Sequence, residues 1–118
     1  MAAVVRVLIA DDEALLRTGL RMLLDGASGI EVVAEASDGD QAVELARATR
    51  PDVVLMDIRM PRRNGLDAAR ELASDGMAVV MLTAFDTDDF ILDALQAGAA
   101  GFLLKDTEPA DLVDAVLR

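Results

Sequence analysis

Apolar residues fall into five short runs, and after each the apolar positions recur every third or fourth residue. Val4 to Ala10 is interrupted only by Arg6 and runs into Asp11, Asp12 and Glu13. Leu16, Leu20, Leu23 and Leu24 then keep helical spacing, with Arg17 and Arg21 on another face, until the turn from Gly26 to Gly29. Ile30 to Ala36 reads as a second strand, with Glu31 and Glu35 marking a partly exposed edge. A second helix carries Ala42, Leu45, Ala46 and Thr49. It stops before Pro51, because the residue ahead of a proline is pushed out of the helical region.

The third run, Val53 to Met56, is unbroken and delivers a carboxylate at Asp57. A proline turn at Met60-Pro61 follows, then Asn64-Gly65, a pair that takes left-handed backbone angles. The next helix carries Leu66, Ala69, Leu72 and Ala73, and the fourth strand, Ala78 to Leu82, ends at Thr83. Phe90, Ile91, Ala94 and Leu95 define a helix whose first turn holds Asp86, Asp88 and Asp89, the sign its dipole favours, and Gly98 ends it. Gly101 to Leu104 forms the fifth strand, ending at Lys105, and Thr107 with Pro109 opens a last helix through Leu112, Val113 and Val116. Five strands alternating with five helices, the strands uniformly apolar and the connections short, predict an α/β fold with a parallel sheet covered on both faces. The pattern is still helical at Arg118, with no Gly or Pro stop signal, which predicts that the sequence is cut from a longer protein.

Composition removes whole classes of chemistry. A chain of 118 residues without repeats or linkers makes one domain spanning 1–118. Three aromatics in a 53% hydrophobic composition imply an aliphatic core. No stretch approaches the roughly 18 apolar residues of a membrane helix. The N-terminus runs into acid where a signal peptide would show a small-residue cleavage site, so the expected compartment is the cytoplasm, with no membrane partner. The absence of Cys and His excludes disulfides, zinc fingers, Ser-His-Asp triads and a phosphohistidine formed on this chain. A net charge of −11 is the wrong sign for a free-standing nucleic-acid binder, so any DNA must be touched by another module. The basic residues are ten Arg and a single Lys, Lys105.

Four strands end in residues able to do chemistry: Asp11 and Asp12, Asp57, Thr83 and Lys105. In an open parallel sheet, ligands bind at the carboxyl ends of the strands, where strand order reverses. With order 2-1-3-4-5 that point lies between the first and third strands, where Asp11, Asp12 and Asp57 meet. Each carboxylate pair about 4 Å apart costs on the order of 4 kcal/mol at an effective dielectric near 20. Protonation, a nearby Lys or a divalent cation can offset that repulsion. Hard oxygen donors with open positions for water describe a Mg²⁺ site that accepts a phosphate oxygen. Taken singly, Asp12 also reads as a cap for the first helix, and Thr83 as an ordinary β-branched strand residue. Asp57 has no packing purpose in an aliphatic strand. No G-x-x-x-x-G-K-[ST] or G-x-G-x-x-G is present to cradle a nucleotide, and Arg59 stands where a dehalogenase-type phosphatase needs a second Asp.

VLIADDE, LMDIRMPRRNG, MLTA and GFLLKD, in that order, resemble the receiver domain of bacterial two-component response regulators along the whole chain. The segment GAAGFLLKD is similar to the NarL/FixJ-like subfamily, whose members carry a C-terminal LuxR-type helix-turn-helix that binds DNA; that module is absent from these 118 residues. The resemblance implies a flavodoxin-like, doubly wound fold and a phosphoacceptor role for Asp57, which takes its phosphoryl group from a sensor histidine kinase. It implies that Mg²⁺ is bound directly by Asp12, through water by Asp11, by the side chain of Asp57 and by the backbone carbonyl of Arg59. Lys105 and Thr83 would contact phosphoryl oxygens, Thr83 and Phe102 would form the switch, and a homodimer would form on activation. Phe102 stands where many members have Tyr, and Asp106 where many have a Pro preceded by a cis bond. Two other functions compete: an interaction domain that signals without phosphate, against which the complete residue set argues, and a phosphoester hydrolase, for which a pocket and a general base are missing.

Overall fold

A computed structural model describes residues 4–27, 29–57, 65–83, 101–104 and 116. The chain runs β1 (Val5–Ala10), α1 (Ala14–Asp25), β2 (Ile30–Ala36), α2 (Gly39–Thr49), β3 (Val53–Asp57), α3 (Gly65–Ser74), β4 (Ala78–Thr83) and β5 (Gly101–Leu104). The strands form one sheet in the order β2-β1-β3-β4-β5, each pair parallel. The helices expected around Phe90 and after Pro109 lie outside the described residues, apart from Val116.

The continuous apolar runs follow from the position of their strands. β1 and β3 are interior strands, and Val7, Leu8, Ile9, Val54, Leu55 and Met56 are all fully buried. Covered on both faces, such strands have no polar side to alternate with. The two-residue period instead divides the core. Leu8, Ala10, Val54, Met56, Val79 and Met81 pack with Ala42, Val43 and Ala46 of α2 and with Ala68, Ala69 and Leu72 of α3. Val7, Ile9, Leu55 and Leu82 pack on the other face with Leu24 of α1 and with Val116. Helices thus cover both faces of the sheet.

Helix ends are set by local chemistry. Asp38 caps α2 by accepting the Gln41 N–H at 2.8 Å, a contact of the kind worth about 1 kcal/mol. The helix ends at Arg50, whose φ of 52° is left-handed, just before Pro51. In α1 the capping position is Glu13, with no side-chain cap bond, which corrects the reading of Asp12 as the cap. β1 begins at Val5, one residue later than the apolar run, and Val4 is 49% exposed. The β1–β2 register passes from Val7↔Val32 to Leu8↔Ala34 and so skips Val33, a bulge on the edge strand.

Candidate functional site

β1 and β3 are neighbours in the sheet although β2 lies between them in the chain. β1 connects outward to β2 on one side, and the chain then crosses to β3 on the other, so the strand order reverses at the β1–β3 pair. Ala10 aligns with Met56, and the next residue of each strand, Asp11 and Asp57, emerges at the same carboxyl edge. One carboxylate oxygen from each of Asp11, Asp12, Glu13 and Asp57 lies within 4.8 Å of all the others. Asp11 is fully buried and Asp57 is 5% exposed, whereas Asp12 and Glu13 face solvent.

The structure therefore brings together three of the residues that the sequence singles out and adds a fourth, Glu13. Its position directly after the acid pair is the signal that could have found it. Thr83 is the last residue of β4, and Asp57 aligns with Leu82 just before it. Phe102 lies on β5 in register with Met81. Arg59, Lys105 and Asp106 lie outside the described residues.

The acid turn is held by its own backbone, by the Asp11 side chain and by one arginine. The Asp11 N–H donates to the Ala36 carbonyl at 3.0 Å, continuing the β1–β2 ladder one step beyond β1. Asp11 Oδ1 accepts the Glu13 N–H at 2.8 Å. Arg17 Nη1 donates to the Asp11 carbonyl at 2.6 Å, and Arg17 Nε donates to Glu35 Oε1 at 3.3 Å. Glu35 also accepts from Arg21, and this hydrogen bond, with the charge behind it, raises the Arg21 pKa above its ordinary value. Glu35, on the partly exposed edge that the sequence predicts, is also an anchor for two cations of α1.

The donor set suits a hard divalent cation. An octahedral Mg²⁺ places opposite oxygens roughly 4 Å apart, twice its 2.0–2.1 Å bond length. Four carboxylates spanning at most 4.8 Å come close to that span, and two of them, Asp12 and Glu13, are exposed to solvent. Such an ion needs carboxylates and waters and no soft ligand, and this chain offers neither Cys nor His. Among the described residues no helix is long and apolar enough to cross a membrane.

A family profile for the response regulator receiver domain matches residues 7–117. The nitrate/nitrite response regulator protein NarL of Escherichia coli K12 is 44% identical over 113 residues, which is 93% of this chain and 52% of that protein. The chain spans about half the length of the curated relatives it matches. A two-component response regulator of the LuxR family from Aurantimonas sp. SI85-9A1 superposes with a TM-score of 0.91 at 35% identity, covering 98% of this chain and 84% of that one. A CheX–CheY complex from Borrelia burgdorferi with BeF3 and Mg superposes with a TM-score of 0.88 at 26% identity, covering 96% and 87%. Together with the acidic cluster at the β1–β3 crevice, these matches show that the chain belongs to the response regulator receiver domain family, in its NarL/FixJ branch.

Proposed function

We propose that this chain is a Mg²⁺-dependent phosphoryl switch in which Asp57 accepts the phosphoryl group from a phosphohistidine on a sensor histidine kinase. The observation that carries this reading is the convergence of Asp57 with Asp11, Asp12 and Glu13 where strand order reverses. A carboxylate oxygen of Asp57 attacks phosphorus while the P–N bond to the imidazole breaks. The electron pair stays on the imidazole nitrogen, and Asp57 becomes an acyl phosphate. Asp12 and the Asp57 side chain would hold Mg²⁺ directly, Asp11 through water, and Arg59 by its backbone carbonyl. When bound, the ion neutralises charge on the transferring oxygens, which is most of what phosphoryl transfer requires. Lys105 and Thr83 complete the set by contacting the remaining oxygens.

The same groups provide the switch. Phosphorylation adds a charge of about −1.5 to −2, which draws Thr83 toward the site. Phe102, two strand positions from the end of β5, turns into the space released. The face formed by β4, β5 and the intervening helix is remodelled, and a homodimer forms. The two helices that complete a flavodoxin-like fold follow β4 and β5. DNA is reached only through a C-terminal helix-turn-helix of the whole protein, which works in the cytoplasm. The relatives' names, as transcriptional or response regulators, support this reading, and so does the BeF3 and Mg in the CheX–CheY complex.

Beryllofluoride, a phosphoryl mimic, tests the proposal by fluorine NMR. The wild type is expected to give a bound resonance in Mg²⁺ that disappears in EDTA and in Asp57→Asn. A bound resonance that persists in Asp57→Asn would assign the acceptor role elsewhere.

A further inference from the structure

We propose that Arg17 is a positioning residue for the acid pair: its guanidinium fixes the Asp11–Asp12 peptide plane, from which both carboxylates project, and thereby sets the affinity of the cluster for a divalent cation. The inference rests on the reading of the cluster as a Mg²⁺ site.

The Asp11 carbonyl and the Asp12 N–H share one rigid plane. A bond to that carbonyl oxygen therefore fixes the direction in which Asp12 leaves β1. Arg17 makes that bond at 2.6 Å, and its own backbone N–H donates to the Glu13 carbonyl at 2.9 Å. The guanidinium bond belongs to the arginine alone, whereas the backbone bond is the ordinary first bond of α1 and survives substitution. Within the turn, Asp11 Oδ1 accepts the Glu13 N–H at 2.8 Å, and the Arg17 guanidinium braces the same turn from α1. The orientation of the guanidinium is set from the far side by Glu35 on β2, and the Arg17 side chain is only 19% exposed.

Charge alone would act differently from position. A lone cation beside four carboxylates would compete with Mg²⁺, and removing it would tighten metal binding. Because Arg17 is paired with Glu35, much of its charge is balanced, and the geometric contribution prevails. Arg21 provides the control. It shares Glu35, but its second bond runs to Asp25 on its own helix, where Arg17 instead reaches the Asp11 carbonyl.

The test is Mg²⁺ titration calorimetry on the wild type, Arg17→Gln, Arg17→Lys, Glu35→Gln and Arg21→Gln, with thermal melts in EDTA and backbone amide NMR spectra. Loss of a group that orients metal ligands from outside typically changes metal affinity by tenfold or more. Arg17→Gln is expected to weaken Mg²⁺ binding about tenfold and to shift the Asp12 and Glu13 amide resonances in EDTA. Arg17→Lys, which retains a donor, recovers part of the affinity; Glu35→Gln, which loosens the fork without removing it, gives an intermediate loss and serves if Arg17→Gln does not fold. Arg21→Gln leaves the affinity at the wild-type value. A lower melting temperature with unchanged Mg²⁺ affinity in Arg17→Gln would reduce Arg17 to a fold-stabilising residue and overturn the inference. Tighter binding in Arg17→Gln, or an equal loss in Arg21→Gln, would overturn it as well. A wild type that binds no Mg²⁺ would overturn the parent reading and this inference together.

Discussion

In metal-free buffer, Asp57→Asn is expected to raise the unfolding free energy by about 1–3 kcal/mol, and in saturating Mg²⁺ that advantage is expected to shrink. Four carboxylates whose oxygens lie within 4.8 Å repel one another, and two of them, Asp11 and Asp57, are buried. A pair at 4–5 Å costs roughly 3–4 kcal/mol at an effective dielectric near 20, and solvent around Asp12 and Glu13 reduces the total. Asn retains the shape of Asp57 and removes one charge, so the repulsion falls. On the proposed reading Mg²⁺ narrows the difference, because an ion bound by the folded acid cluster would stabilise the wild type by about 2.7 kcal/mol at a hundred times its Kd. The variant has lost a charged ligand and gains less. Urea melts of both proteins in EDTA and in Mg²⁺ give the four values required. A variant less stable than wild type in EDTA would mean that the partners of the Asp57 carboxylate outweigh the repulsion within the cluster.

Leu55→Ala is expected to cost about 3–4 kcal/mol, near the middle of the range for leucines cut back in a close-packed core. Leu55 is fully buried on an interior strand, in register with Ile9 and Val80. It belongs to the cluster that joins β1, β3 and β4 to Leu24 and Val116, so the cavity has elements on every side and little room to collapse. A domain of this length has on the order of 6–18 kcal/mol of stability in total, which makes the loss a large share of it. Because Leu55 stands two residues before Asp57 on the same strand, disorder in that layer also loosens the acid site. A urea-derived loss below about 1 kcal/mol would show that the sheet repacks around the gap.

These two positions also show why so much of the molecule is legible in the sequence. Leu55 sits in a run of apolar residues with no polar alternation, a pattern that interior parallel strands require and exposed strands avoid. Asp57 ends that run, and the sheet brings it beside Asp11 because their strands are neighbours in the predicted order. Asp38 and Pro51 mark helix boundaries through local rules that depend on a few adjacent residues. What stays hidden involves contacts between distant side chains. Neither the spacing of Arg17 on α1 nor the placement of Glu35 on β2 reveals that they meet, or that the arginine also reaches back to the Asp11 carbonyl. The bulge at Val33 depends on how β2 pairs with β1, which its own alternation does not encode. Asp12 is a reasonable cap by residue type, yet α1 begins one residue later and leaves Asp12 to the cluster.

Asp57, supported by the acid cluster, is the proposed phosphoryl acceptor. Intact mass after incubation with acetyl phosphate tests it most directly, on wild type and Asp57→Asn, with Mg²⁺ and with EDTA. In the expected reaction an Asp57 oxygen attacks phosphorus and acetate leaves with the electron pair of the broken P–O bond. The expected result is the mass gain of one phosphoryl group on the wild type in Mg²⁺, and no gain in EDTA or on Asp57→Asn. An unmodified, folded wild type in Mg²⁺, or an adduct that forms equally on Asp57→Asn, would contradict it.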